Sequence, residues 1–202
     1  MRYLPNILTV ARILLTPVVL LLLLTQTWAG QLAAVVLFVA AAASDYIDGH
    51  LARRMGARSR LGTFLDPLAD KILVLGTFAT LATVVPQVVP WWAVGVIALR
   101  DAAVTALRTW AEAREHTVRT LPIAKAKTMV QLLFLFSLMV LLTATHAADP
   151  TRSTAVWLLE QSAIPYLGMI AVVVVTVATG ALYFMRLEYA PSARRASSEQ
   201  RR

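Results

Sequence analysis

The sequence predicts an all-α, polytopic membrane protein: a bundle of six transmembrane helices with both termini on the cytoplasmic side. Three observations predict it. Hydrophobic residues make up 58% of the 202, above the roughly 45–50% usual in soluble domains. Six apolar stretches follow one another, each near the roughly 20 residues that cross a bilayer as a helix. Arginine and lysine gather at alternate breaks between those stretches, as the positive-inside bias requires.

The stretches fall at 6–26, 31–54, 62–84, 90–113, 121–144 and 160–185. Helices are expected throughout, because an open strand leaves its backbone groups unsatisfied in lipid. The first stretch is long enough to span and lacks a small-residue cleavage site, so it reads as a membrane helix and not a leader. Arg53, Arg54, Arg58 and Arg60 flank the second break, and Arg114, Arg119, Lys125 and Lys127 the fourth. Arg2 precedes the first stretch, Arg186, Arg194, Arg195, Arg201 and Arg202 follow the last, and the opposite side has only Arg152. Trp91 and Trp92 read as interface anchors on that side. The break 146–162 is the one sizeable polar stretch between spans. Residues 1–190 form the expected membrane domain, and 191–202 a basic, disordered cytoplasmic tail lying on the membrane surface.

Charge and composition exclude other classes. A net charge of +8 in so apolar a chain suits anionic lipid head groups better than nucleic acid. Cysteine is absent, which removes disulfides and thiolate metal sites.

Ionisable side chains within a spanning helix are costly and point to function. Asp45 and Asp48 stand near the end of the second stretch, Asp66 and Asp70 near the start of the third. On a helix the first pair is about 60° apart and the second about 40°, so each pair shares a face. The short loop 55–61 makes the two helices antiparallel neighbours, and four carboxylates can converge. Unneutralised, they would repel one another. Oxygen-only ligands suit hard cations such as Mg²⁺ or Mn²⁺, and a pair of such ions is the usual clamp for displacement at phosphorus. The competing reading pairs the aspartates structurally with Arg53, Arg54, Arg58 or Lys71, which four at helical spacing fit poorly. Gly49 and Ala52 leave room beside the carboxylates, and Arg53 can reach back to a phosphate.

Asp45-x2-Asp48-Gly49-x2-Ala52-Arg53-x8-Gly62-x3-Asp66-x3-Asp70 resembles in full the motif of the CDP-alcohol phosphotransferase family. The opening Leu4-Pro5-Asn6-Ile7-Leu8-Thr9-x2-Arg12, the run Phe64–Lys71, Leu99-Arg100-Asp101 with Leu107-Arg108, and Lys125-x-Lys127-Thr128-x2-Gln131 resemble its bacterial phosphatidylglycerophosphate synthase branch. The likeness covers about residues 4–135. Asp101 and Ala124 depart from the usual Glu and Gly.

The resemblance implies two divalent cations, Mg²⁺ or Mn²⁺, held by Asp45, Asp48, Asp66 and Asp70, with Asp45 and Asp66 bridging. It implies contacts from Asn6, Gly49, Arg53 and Ser59 to the CDP-lipid, and Asp70 as general base toward the acceptor hydroxyl. CDP-diacylglycerol and glycerol 3-phosphate are the implied substrates, with a homodimer at the cell inner membrane and the site facing the cytoplasm. A phosphorylated acceptor needs fixed cations, for which Arg108, Lys125 and Lys127 are the candidates, with Arg100 behind them. Asp101 lies seven residues before Arg108, nearly in line on one face, and is expected to position a cation. Lys71 either binds phosphate or tempers the carboxylate charge. Two alternatives remain: a cardiolipin synthase of the same family, using phosphatidylglycerol, and a transporter whose intramembrane aspartates carry cations.

Overall fold

The computed structural model describes residues 4–55, 60–113 and 122–187, with side chains over 11–44, 71–107, 109–110, 126–182 and 184–185. The regular structure among these residues is helical, with no strand. The helices are α1 (Leu4–Leu24), α2 (Trp28–Met55), α3 (Arg60–Val84), α4 (Trp91–Ala113), α5 (Pro122–Ala144), α6 (Thr151–Glu160) and α7 (Ile164–Leu187). Six of them follow the six apolar stretches closely. The seventh, α6, lies in the polar break where only a loop was expected. Its Ala155 and Leu159 are buried, and their i, i+4 spacing forms one short apolar stripe. Ten residues at about 1.5 Å each cannot cross a bilayer.

Local chemistry sets the reversals. Gln26 adopts φ 49°, a left-handed conformation uncommon outside glycine that stops α1 from continuing. The Thr27 hydroxyl accepts from the Gly30 N–H at 3.2 Å, an N-cap that starts α2 after three residues. Gly30 allows this close approach, since a Cβ there would sit 2.1 Å from Thr25 Oγ1. Between α3 and α4, Val88 and Val89 both donate to the Val85 carbonyl at 3.0 Å, and Pro90 leads into α4.

The helices form a closed circuit. Successive contacts run α1–α2, α2–α5, α5–α7, α7–α4, α4–α3 and α3–α1, and α3 also touches α5 across it. Phe38, Leu73, Phe78, Leu81, Ile97, Leu135, Met139 and Met169 fill the interior. Apolar side chains also cover the outside. Ala126–Ala144 and Ile164–Leu182 are long and apolar enough to cross a membrane, yet only 39% and 33% of them is buried in the protein. Leu133, Val140, Leu167 and Val174 point outward on those helices. A core helix of a soluble domain would have them covered; such a surface belongs in lipid.

Candidate active site

One end of the bundle is marked by a cavity of about 790 Å³. Residues from the α1–α2 turn (Trp28, Gln31), the end of α3 (Val84), the end of α5 (Leu142) and α6 (Leu159) line it. The four aspartates lie far from this end. Along α2, Asp45 and Asp48 are about 21 and 26 Å of helix beyond Gln31. Along α3, Asp70 and Asp66 are about 21 and 27 Å before Val84. The backbone thus carries both pairs to the same level of the bundle. Their side chains lie outside those described, as do those of Asn6, Arg53, Arg108 and Lys125; Gly49 is described by its helical backbone alone, and Ser59 lies outside the described residues altogether. Among the described residues no group of three or more histidines, cysteines or carboxylates is placed to hold a metal. The aspartate set itself fits a hard divalent cation by its chemistry, being oxygen-only and anionic.

Next to this level the structure builds a polar cluster between α4, α5 and α7. Lys127 Nζ donates to both carboxylate oxygens of Asp101, at 2.6 and 2.7 Å. Arg100 Nη1 donates to Asp101 Oδ1 at 3.1 Å. The same guanidinium reaches α7, with Nε on the Thr176 carbonyl at 3.0 Å and Nη2 on Thr179 Oγ1 at 3.1 Å. Gln131 Nε2 donates to Thr176 Oγ1 at 3.2 Å. Asp101, Lys127, Gln131 and Thr176 are all buried. An ionised side chain at the centre of a bilayer helix costs about 2.5–3.5 kcal/mol, which explains why these groups face one another inside the ring.

A second connection runs from α3. Lys71, the residue after Asp70, donates from Nζ to Thr105 Oγ1, and Thr105 Oγ1 donates to the Asp101 carbonyl at 2.7 Å. Of the four expected acceptor cations, the structure brings Arg100 and Lys127 together around Asp101. It pairs Asp101 across the bundle with α5, a partner not predicted from its in-line spacing with Arg108. Arg12 was quoted within a motif and given no role. It is 2% exposed, and its Nε donates at 3.3 Å to the carbonyl of Ala41, one turn before Asp45. Thr105, Thr176, Thr179 and Gln131 were also given no role; the signal for them was polar atoms recurring within apolar spans.

Gly180 closes the α4–α7 contact. A Cβ there would lie 3.0 Å from Arg100 Nε and 3.1 Å from its Cγ. Gly180→Val is expected to displace Arg100 from α7 and destabilise the purified protein by about 1–3 kcal/mol, read from detergent unfolding. Gly180→Ala should cost less, because the neighbour is a flexible side chain. Equal stability of the valine variant and its parent would mean the contact has slack.

A ring of helices, apolar outside and carrying paired carboxylates at one level of α2 and α3, which both pack on α1, defines a membrane protein with a polar site inside. Residues 2–178 match the CDP-alcohol phosphatidyltransferase family, and the chain belongs to that family of enzymes. It is 34% identical over 148 residues to the CDP-diacylglycerol–glycerol-3-phosphate 3-phosphatidyltransferase of Bacillus subtilis, covering 67% of this chain and 76% of the relative. It is 37% identical over 137 residues to the Escherichia coli K12 protein of the same name, covering 65% and 73%. It is 35% identical over 144 residues to CDP-diacylglycerol–glycerol-3-phosphate 3-phosphatidyltransferase 2 of Arabidopsis thaliana, covering 65% and 62%. A second protein of that plant is matched over 39% of its length. The chain thus spans less than two thirds of these plant relatives and about three quarters of the bacterial ones.

Proposed function

We propose that the protein transfers the phosphatidyl group of CDP-diacylglycerol to glycerol 3-phosphate, giving phosphatidylglycerol phosphate and CMP. The observation that carries this reading is the complete carboxylate motif, set at one level of two helices, in a chain whose relatives share that name. Asp45, Asp48, Asp66 and Asp70 would hold two divalent cations, Mg²⁺ or Mn²⁺. When bound, these supply positive charge that stabilises the diphosphate and the departing CMP. Asn6, Gly49, Arg53 and Ser59 bind and orient the CDP-lipid. Asp70 takes the proton of the acceptor hydroxyl. The freed oxygen forms a bond to the phosphorus bearing diacylglycerol, and the bond from that phosphorus to the bridging oxygen breaks, releasing CMP. Arg108, Lys125 and Lys127 hold the acceptor phosphate.

The same reading includes six spans, a cytoplasmic carboxylate end in the cell inner membrane, a homodimer, a membrane domain over 1–190 and a surface-lying tail over 191–202. It is supported by the alternation of basic breaks along the sequence.

An acceptor panel tests the reaction. Purified protein with labelled CDP-diacylglycerol and Mg²⁺ or Mn²⁺ is expected to release CMP and form lipid product with glycerol 3-phosphate, and to stop on chelation. Product only with phosphatidylglycerol would assign a cardiolipin synthase. Cation flux without CMP release would assign a transporter.

Arg108→Ala is expected to raise the KM for glycerol 3-phosphate by about 10- to 100-fold, the loss of a charge-assisted hydrogen bond. Metal dependence should be unchanged. A constant KM would remove Arg108 from the acceptor pocket.

A further inference from the structure

We propose that Asp101 is a positioning residue for the acceptor: it fixes the Lys127 ammonium where the acceptor phosphate binds, while Arg100 anchors Asp101 to α7. The proposal rests on the phosphatidyl-transfer reading and deepens it by separating the cation that touches substrate from the groups that aim it.

Lysine carries its charge on a flexible four-carbon stem and is poorly preorganised for binding. Here both carboxylate oxygens of Asp101 grip the ammonium, at 2.6 and 2.7 Å, with both residues buried. Asp101 is itself held. Arg100 donates to its Oδ1 and ties the pair to Thr176 and Thr179 of α7, so α4, α5 and α7 all fix one nitrogen. Arg100 thereby directs an N–H from each of Nε, Nη1 and Nη2 to protein partners and acts as a support.

The location of this grip links it to the chemistry. Thr105, one turn after Asp101, receives the Lys71 ammonium, and Lys71 is joined covalently to Asp70. A path of one peptide bond, the Lys71 side chain and two hydrogen bonds therefore runs from the backbone of Asp70 to the backbone of Asp101. Lys127 and the Asp70 backbone are thereby both tied to Asp101. An acceptor whose hydroxyl meets Asp70 while its phosphate meets Lys127 is bound at both ends, the condition for an oriented attack. Groups that orient a ligand-binding side chain act through that side chain, and their loss is felt in affinity.

The test compares Asp101→Asn, Asp101→Glu and the double variant Asp101→Asn/Lys127→Met, in purified full-length protein. Asp101→Asn is expected to raise the acceptor KM at least tenfold, with kcat within about threefold and the KM for CDP-diacylglycerol unchanged. Asp101→Glu keeps the charge on a longer arm and should move the acceptor KM three- to tenfold, less than Asp101→Asn does. A purely structural ion pair predicts otherwise: removing both charges would recover stability and acceptor KM together. The proposal expects the double variant to regain stability and keep the poor KM. An acceptor KM for Asp101→Asn within twofold of the parent, or its recovery in the double variant, overturns the proposal. Should Asp101→Asn not yield folded protein, Asp101→Glu decides: a three- to tenfold shift confined to acceptor KM supports the proposal, and no shift overturns it. If the parent prefers another acceptor in the panel, the phosphatidylglycerophosphate assignment fails there, and the same variants are compared with that acceptor. Exposed Arg152→Ala on α6 serves as the unchanged control.

Discussion

Asp66→Asn is expected to slow phosphatidyl transfer by at least about a thousandfold while the protein still purifies as a folded membrane protein. The substitution keeps size and hydrogen-bonding shape and removes one negative charge from a set of four on α2 and α3. Metal affinity depends on carboxylate charge, and charge stabilisation at a transferring phosphoryl group is among the largest contributions to such reactions. Retained folding distinguishes this outcome from collapse, because Asp66 belongs to the first turns of α3, away from the packed Leu73–Leu81 interior. The readouts are the initial rate of CMP release and the amount of lipid product. A normal rate would take the carboxylate motif out of the reaction and the assignment with it.

The second large effect is on stability. Phe78→Ala is expected to cost about 3–5 kcal/mol. Phe78 of α3 is fully buried and stacks on Phe134 of α5, with ring centroids 6.2 Å apart and planes at 16°. Phe134 in turn presses on Gly168 of α7, where a Cβ would lie 3.1 Å from Phe134 Cε2. Three helices therefore meet at one pair of rings. Within a bilayer, association depends on this kind of close packing, since lipid offers apolar side chains much the same solvation as the protein does. Unfolding in detergent measures the loss. A drop below about 1 kcal/mol would show that the neighbours can collapse into the gap.

The apolar stretches were legible because a bilayer imposes length and composition on each span, and α1 to α5 and α7 follow them to within a few residues. The carboxylate motif was legible for a related reason: charge in such spans is rare enough for its spacing to stand out. Two things were hidden. Helix α6 has a short apolar stripe in a polar setting, below what periodicity can resolve. The partnership of Asp101 with Lys127 crosses from one helix to another, whereas spacing along a single helix offered only Arg108. Thr176 and Thr179 carried only a weak signal, because threonine in a membrane helix often satisfies its hydroxyl on its own backbone, as Thr179 also does on Val175. The turn at Gln26 lacks the glycine that would have announced it.

The distance of about 21–27 Å between the cavity end and the four aspartates is comparable to most of a hydrocarbon core of about 30 Å. Under the proposed reaction, donor and product keep their acyl tails in the monolayer on the aspartate side throughout. Synthesis is therefore sided. Every new phospholipid arrives in one leaflet, and stocking the other requires a separate step that turns the head group through the membrane.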